Sequence, residues 1–203
     1  MTGRYNVRSG VMPAVFLPDH IGGLPHSEVT LAGHLKQAGY RSALVGKWHL
    51  GSGIDDEYMP TTHGFDVYYG VPHHLCPCSV CFYPNISCYD NCLPQYVSCA
   101  IYNNSRIIQQ PADLVTLTDK YTQAGVEFIN ENVETETPFL LIMSYHQTHF
   151  PQIAGKNFYG KSHRGTFGDA LMEMDNSVGD IVRVLDENHL LDDTFIWFTS
   201  DNG

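Results

Sequence analysis

Residues 41 to 51 read "RSALVGKWHLG". From Ser42 to Val45 the run carries no charge and it ends at Gly46, which suits a strand buried on both faces of a covered parallel sheet. The next residues are unlike a core: Lys47 and His49 flank Trp48, and Gly51 closes the turn. Glycines at both ends let the backbone leave the sheet sharply, so that Lys47 and His49 project over its edge. Each residue also has an ordinary reading, Lys47 as a solvated strand-end lysine and His49 as a histidine packed near Trp48. Recurrence of the pattern decides between the two.

It recurs twice. "PFLLIMSY" (138–145) is a continuous apolar run followed by His146 and His149, and "TFIWFTS" (194–200) is another, followed by Asp201 and Asn202. Helical spacing precedes each run. Thr30 opens "LAGHLKQAGY", with Leu31, Ala32 and Leu35 on one face and Gly39 as the stop; residues 119–130 repeat Tyr121, Ala124 or Gly125, and Phe128; Leu171, Met174, Val178, Ile181, Val182 and Leu185 step by three and four. Helix then strand, three times over, predicts an α/β fold with a largely parallel central sheet flanked by helices on both faces. Residues 52 to 116 are rich in Pro, Cys and Tyr and are expected to be irregular, with 71–116 a disulfide-held insertion.

Composition narrows the function classes. The chain of 203 residues is 43% hydrophobic, enough for one sizeable core. Twenty-two acidic against 11 basic residues, a formal charge of −11, argue against nucleic acid as a partner. No apolar stretch approaches the ~18 residues of a membrane span, so none is expected. Homo-oligomerisation is compatible with the sequence and unspecified by it.

All six cysteines fall between Cys76 and Cys99, beside the sequons Asn85-Ile86-Ser87 and Asn103-Asn104-Ser105. Together they point to a lysosomal or extracellular protein of the secretory route, with Asn85 and Asn103 as glycosylation acceptors. A zinc site built from Cys78, Cys81, Cys88 and Cys92 is the other reading, and the spacing lacks the two matched knuckles that would favour it. The chain reads as incomplete at both ends.

Open α/β sheets bind ligands beyond the carboxyl ends of their strands. A lysine, histidines and an Asp-Asn pair meeting there describe an anion site beside a hard-cation site. With these residues in view, "TGRYNVRSG", "GGLPHSEVTLAGHLKQAGYRSALVGKWHLG", "HGFDVYYGVP", "HQTHFPQ", "FGDALMEMDNSVGDIV" and "TFIWFTSDNG" together resemble the type I sulfatase family of the alkaline phosphatase-like superfamily. The resemblance runs in order along nearly the whole chain and implies that residues 1–203 are part of a catalytic domain of arylsulfatase type.

What it implies is specific. A formylglycine, formed from the cysteine of a C-x-P-S-R motif expected upstream of Met1, attacks the sulfur of a sulfate ester with the help of Ca²⁺ or Mg²⁺. Asp201 and Asn202 complete the metal shell, Lys47 contacts the sulfate, His49 hydrogen-bonds the formylglycine hydroxyl, and His149 protonates the leaving oxygen. His146 and His74, the latter where the arylsulfatase branch carries a serine, fall at the substrate rim. His63, His73 and His163 are expected at the surface or in loops. The cysteine spacing of the family pairs Cys76 with Cys92 and Cys81 with Cys88; Cys78 and Cys99 are left, and a third bridge between them is one of several possibilities. The implied partner is a sulfated small molecule, sulfolipid or sulfated glycan. Alternatives are a phosphodiesterase or phosphonate hydrolase of the same superfamily, or a glycosylated binding homologue without the nucleophile.

Overall fold

The computed structural model describes residues 1–10, 15–16, 20–73, 80–82, 86–87 and 99–201, with backbone alone for 80–82 and 86–87. Its elements are α1 (Asn6–Ser9), α2 (Leu31–Gln37), β1 (Arg41–Gly46), β2 (Val67–Gly70), β3 (Val80–Phe82), β4 (Ile86–Ser87), β5 (Ile101–Asn103), β6 (Arg106–Gln109), α3 (Leu117–Thr135), β7 (Phe139–Ser144) and α4 (Gly165–Glu187). His74, Cys76, Cys78, Cys88, Cys92, Asn85 and Asn202 lie outside the described residues, as does the side chain of Cys81. Cys99 is buried and disulfide-bonded, to a partner beyond the described side chains.

Five strands form one sheet in the order β6-β5-β2-β1-β7. β1 runs parallel to β7 over its whole length, Arg41 beside Phe139 through Gly46 beside Ser144, and parallel to β2 on its other side. Side chains alternate across this core as the pleat requires. Leu44, Tyr68, Leu140 and Ile142 face the layer that contains Ala32 of α2 and Trp48. Val45, Leu141 and Met143 face Tyr121 and Ala124 of α3, and α4 adds Ile181, Val184 and Leu185 to that layer. Helices therefore cover both faces. Thr30 caps α2 by accepting the Gly33 N–H at 3.1 Å, and Gly39 ends it at φ 83°, as its sequence predicts.

The α/β class stands, but the irregular reading of residues 52–116 needs correction: residues 67–70 form β2, and residues 101–109 form the hairpin β5-β6, which joins β2 antiparallel and makes the sheet mixed. The signal was short: a two-residue turn at Asn104-Ser105, with Asn104 in the left-handed region at φ 53°, joins strands of three and four residues. Asn104 also locks the join, its Oδ1 accepting the Tyr68 N–H at 2.9 Å. Asn103 at this turn is exposed.

The second correction concerns residues 194–200, which form no strand. Phe195, Ile196, Trp197 and Phe198 are 85%, 49%, 75% and 70% exposed. A continuous apolar run states a need for burial, but a strand exists only where a neighbour takes its backbone hydrogen bonds. Here β7 is the edge of the sheet, half-buried along all six residues, and the run after α4 does not pair with it.

Candidate active site

At its end β1 is held by both neighbours. The Lys47 N–H donates to Ser144 O of β7 at 2.8 Å, while the Trp48 and His49 N–H groups donate to Val71 O and Pro72 O beyond β2 at 3.2 and 2.9 Å. Trp48 is buried, and its indole N–H is shared between the carbonyls of Gly51 and Tyr58 at 2.9 Å each. With the ring anchored below, Lys47 and His49 lie at alternate positions and are half-buried. His49 adopts φ 55°, a strained conformation for a residue with a Cβ. Gly46 sits at φ 122°, and a Cβ there would stand 1.9 Å from Ser144 O. The glycine of the opening motif is thus required by close strand packing as well as by the turn.

Lys47 is in an unusual setting for a lysine at a strand end. Burial pushes its ammonium pKa down, and Asp201 pulls it back up. The structure therefore brings Lys47 and Asp201 within electrostatic reach although the strand before Asp201 does not form. Asp201 is exposed.

The segment after β7 carries the histidines. His146 stacks on Tyr121, ring centroids 5.8 Å apart, and its Nδ1 lies 3.1 Å from the Tyr121 hydroxyl. His149 is exposed; its N–H donates to His146 O at 2.9 Å. Its Nδ1 lies 2.6 Å from Phe150 O. A carbonyl only accepts, so in that hydrogen bond Nδ1 carries the proton. His146 and His149 line one shallow cleft with Thr118, Tyr121 and Gln147, whereas Lys47 and His49 are not in its wall.

The described residues do not make a metal site on their own. Among them no three His, Cys, Asp or Glu side chains cluster closely enough to hold an ion. Asp201 is the one described member of the expected pair, and its charge acts on Lys47.

Sequence reasoning misjudged one histidine and missed a polar stripe. His63 is buried, not at the surface. It stacks on His26 at 4.9 Å and packs against Trp48 at 5.6 Å, and its Nε2 has no hydrogen-bond partner among the described residues. Burial, with repulsion from His26 second, pushes its pKa down from 6.5 to about 4. Between those values the unfolded chain binds a proton that the folded chain refuses. Stability from this residue is therefore present above about pH 6.5 and lost as pH falls, by about 2 kcal/mol at pH 5. His63→Phe, which keeps the stack, should flatten the melting temperature between pH 7 and 5; an unchanged slope would exclude His63 as its source.

The polar stripe is on α4. Asp169, Glu173 and Ser177, four residues apart, are each 2% exposed, while Leu171 of the expected apolar face is 43% exposed. Asp169 accepts the N–H groups of Gly160 and Ser162 at 2.8 and 2.7 Å, which hold its carboxyl below the usual range. Ser177 meets the Tyr145 hydroxyl at 2.8 Å. Spacing four apart on one face was visible in the sequence, but acidic side chains are read as solvated unless their partners are known.

The model of the sulfatase family matches residues 1–203. This chain belongs to the sulfatase family. It is 39% identical over 207 residues to arylsulfatase A of Bos taurus, covering all of this chain and 41% of that protein. It is 37% identical over 264 residues to steryl-sulfatase of Homo sapiens, covering all of this chain and 45% of that one. The crystal structure of Ps i-CgsB in complex with k-i-k-neocarrahexaose superposes with a TM-score of 0.72 at 25% identity, over 94% of this chain and 43% of that one. The chain thus spans under half the length of the sulfatases it matches. No helix of the described residues is long and apolar enough to cross a membrane.

Proposed function

We propose that the intact protein hydrolyses sulfate esters, R–O–SO₃⁻ plus water giving the alcohol and sulfate. The observation that carries this reading is a half-buried lysine at the end of β1, beside the strand whose next residues present His149, in a chain that matches the sulfatase family from first residue to last. A partly desolvated ammonium favours an anionic ligand, whose charge offsets the cost of its burial. As the S–O bond breaks, charge grows on the leaving oxygen; His149, with Nδ1 tied to Phe150 O, donates from Nε2. His49, two residues beyond Lys47 on the same turn, would hydrogen-bond the formylglycine hydroxyl. His146, held by Tyr121, is at the rim of the cleft.

In this reading a formylglycine would supply the nucleophile and Ca²⁺ or Mg²⁺ would supply Lewis-acid assistance, with Asp201 and Asn202 as the residues that would hold the metal. The described residues do not fit a complete metal site, so every step above belongs to the chain's own side chains. The substrate is a sulfated small molecule, sulfolipid or sulfated glycan. A lysosomal or extracellular setting is supported by the disulfide at Cys99 and by the exposed sequon residue Asn103. The test is turnover of an aryl sulfate by the intact protein against Lys47→Ala, with a loss of about 10²-fold expected from removing a fixed cation. Preference for a phosphodiester over the sulfate ester would instead select the phosphodiesterase reading.

A further inference from the structure

Glu173 presents a buried carboxyl with an unusual set of partners. It is 2% exposed on α4. Its Oε1 accepts the Gly155 N–H at 2.8 Å, and its Oε2 accepts from the Thr118 hydroxyl and the Gln147 amide, both at 3.0 Å. Gln147 Nε2 also meets Thr118 Oγ1. No ion pair among the described residues includes Glu173. Burial, the largest influence, raises its pKa, with Asp119 adding to the rise; the N–H of Gly155 and the Thr118 and Gln147 donors oppose it. A buried carboxyl supported only by neutral donors costs stability that a well-packed apolar side chain would not. Its cost calls for a return elsewhere.

The partners show where. Gln147 lies between His146 and His149, and Gly155 lies beyond Pro151 on the same connection between β7 and α4. Thr118 is in the first turn of α3, one helical turn before Tyr121, which holds His146. Glu173 therefore ties both sides of the His149-bearing segment to two helices that are packed on the sheet. The fit is close: a Cβ at Gly155 would stand 2.6 Å from Glu173 Oε1.

We infer that Glu173 is a positioning residue that sets the 146–155 segment, and through it the direction of His149, at the mouth of the cleft. The inference rests on the proposed sulfate ester chemistry only for the role of His149. Catalysis depends on sub-ångström placement of a proton donor, and misplacement by about 1 Å can cost on the order of 10²-fold in rate. Two of the partners can reverse their hydrogen bonds, the Thr118 hydroxyl by rotating and the Gln147 amide by flipping, so glutamine at 173 can be accommodated and alanine cannot.

The experiment compares Glu173→Ala, Glu173→Gln, His149→Ala and the Glu173→Ala/His149→Ala double variant in the intact protein, on an alkyl sulfate and a nitrophenyl sulfate. Hydrogen exchange of residues 146–155 is followed in parallel. Glu173→Ala should lose on the order of 10²-fold in kcat/KM on the alkyl sulfate and much less on the nitrophenyl ester. The double variant should be no slower than His149→Ala on the alkyl sulfate. Glu173→Gln should recover most of the activity. Exchange across 146–155 should quicken in the alanine variant while α3 and α4 exchange at the unsubstituted rate. Equal losses on both esters, additive losses in the double variant, or unchanged exchange at 146–155 would each overturn the inference. If the unsubstituted protein turns over no sulfate ester, the proposed function fails by itself and hydrogen exchange alone decides whether Glu173 holds the segment. Should Glu173→Ala not fold, Thr118→Val removes one arm of the tie and is judged by the same readouts.

Discussion

Replacing His149 by alanine in the intact protein is expected to lower kcat/KM for an alkyl sulfate by about 10²- to 10⁴-fold, the span of a positioned general acid. An alkoxide leaves poorly without a proton, whereas a nitrophenolate disperses its charge and needs little help, so the same variant should keep most of its activity on a nitrophenyl sulfate. The structure supplies the reason for choosing His149 over its neighbour. His146 is stacked on Tyr121 with Nδ1 at its hydroxyl; His149 is exposed and its Nδ1 donates to Phe150 O, which in the proposed reading leaves Nε2 to face the leaving oxygen. Equal losses on the two esters would remove His149 from the proton-donor role. His146→Ala measured beside it should change both esters alike.

Gly46→Ala should produce the largest loss of stability among single substitutions near the site, about 4 kcal/mol or more. Two independent costs combine. A Cβ at residue 46 would overlap Ser144 O at 1.9 Å, a backbone atom that cannot move without breaking the β1-β7 pairing. The φ of 122° is also hostile to any residue but glycine. Gly70 is crowded in the same way, since a Cβ there would stand 1.9 Å from Gly46 O. The expected observation is a large fall in the denaturation midpoint, or failure to accumulate folded protein. A midpoint shift corresponding to less than about 1 kcal/mol would mean that the strand ends are looser than the packing shows.

Legibility differed by kind of signal. β1 was readable to the residue and β7 to within one residue at each end, because they are continuous apolar runs flanked by a helix on one side and a glycine or polar cluster on the other. The positions of Lys47, His49, His146 and His149 after those strands were readable for the same reason. The hairpin β5-β6 was hidden in a stretch whose cysteines and prolines suggested irregular structure, since strands of three or four residues give too few alternations to detect. Residues 194–200 were overread, because hydrophobicity says nothing about whether a backbone partner is present. Glu173 was invisible in another way: its burial depends on Gly155, Gln147 and Thr118, residues 18, 26 and 55 positions away.

By itself, then, the order of residues along this chain dictated an α/β layout and the placing of a lysine and histidines just beyond strand ends, since periodicity, glycine placement and capping act over a few residues. Only the folded arrangement decided that the sheet is mixed, that His63 is buried and hard to protonate, and that a carboxyl on α4 braces the segment bearing His149. Those outcomes depend on desolvation and on hydrogen bonds between segments distant along the chain, and neither quantity exists until the chain has folded.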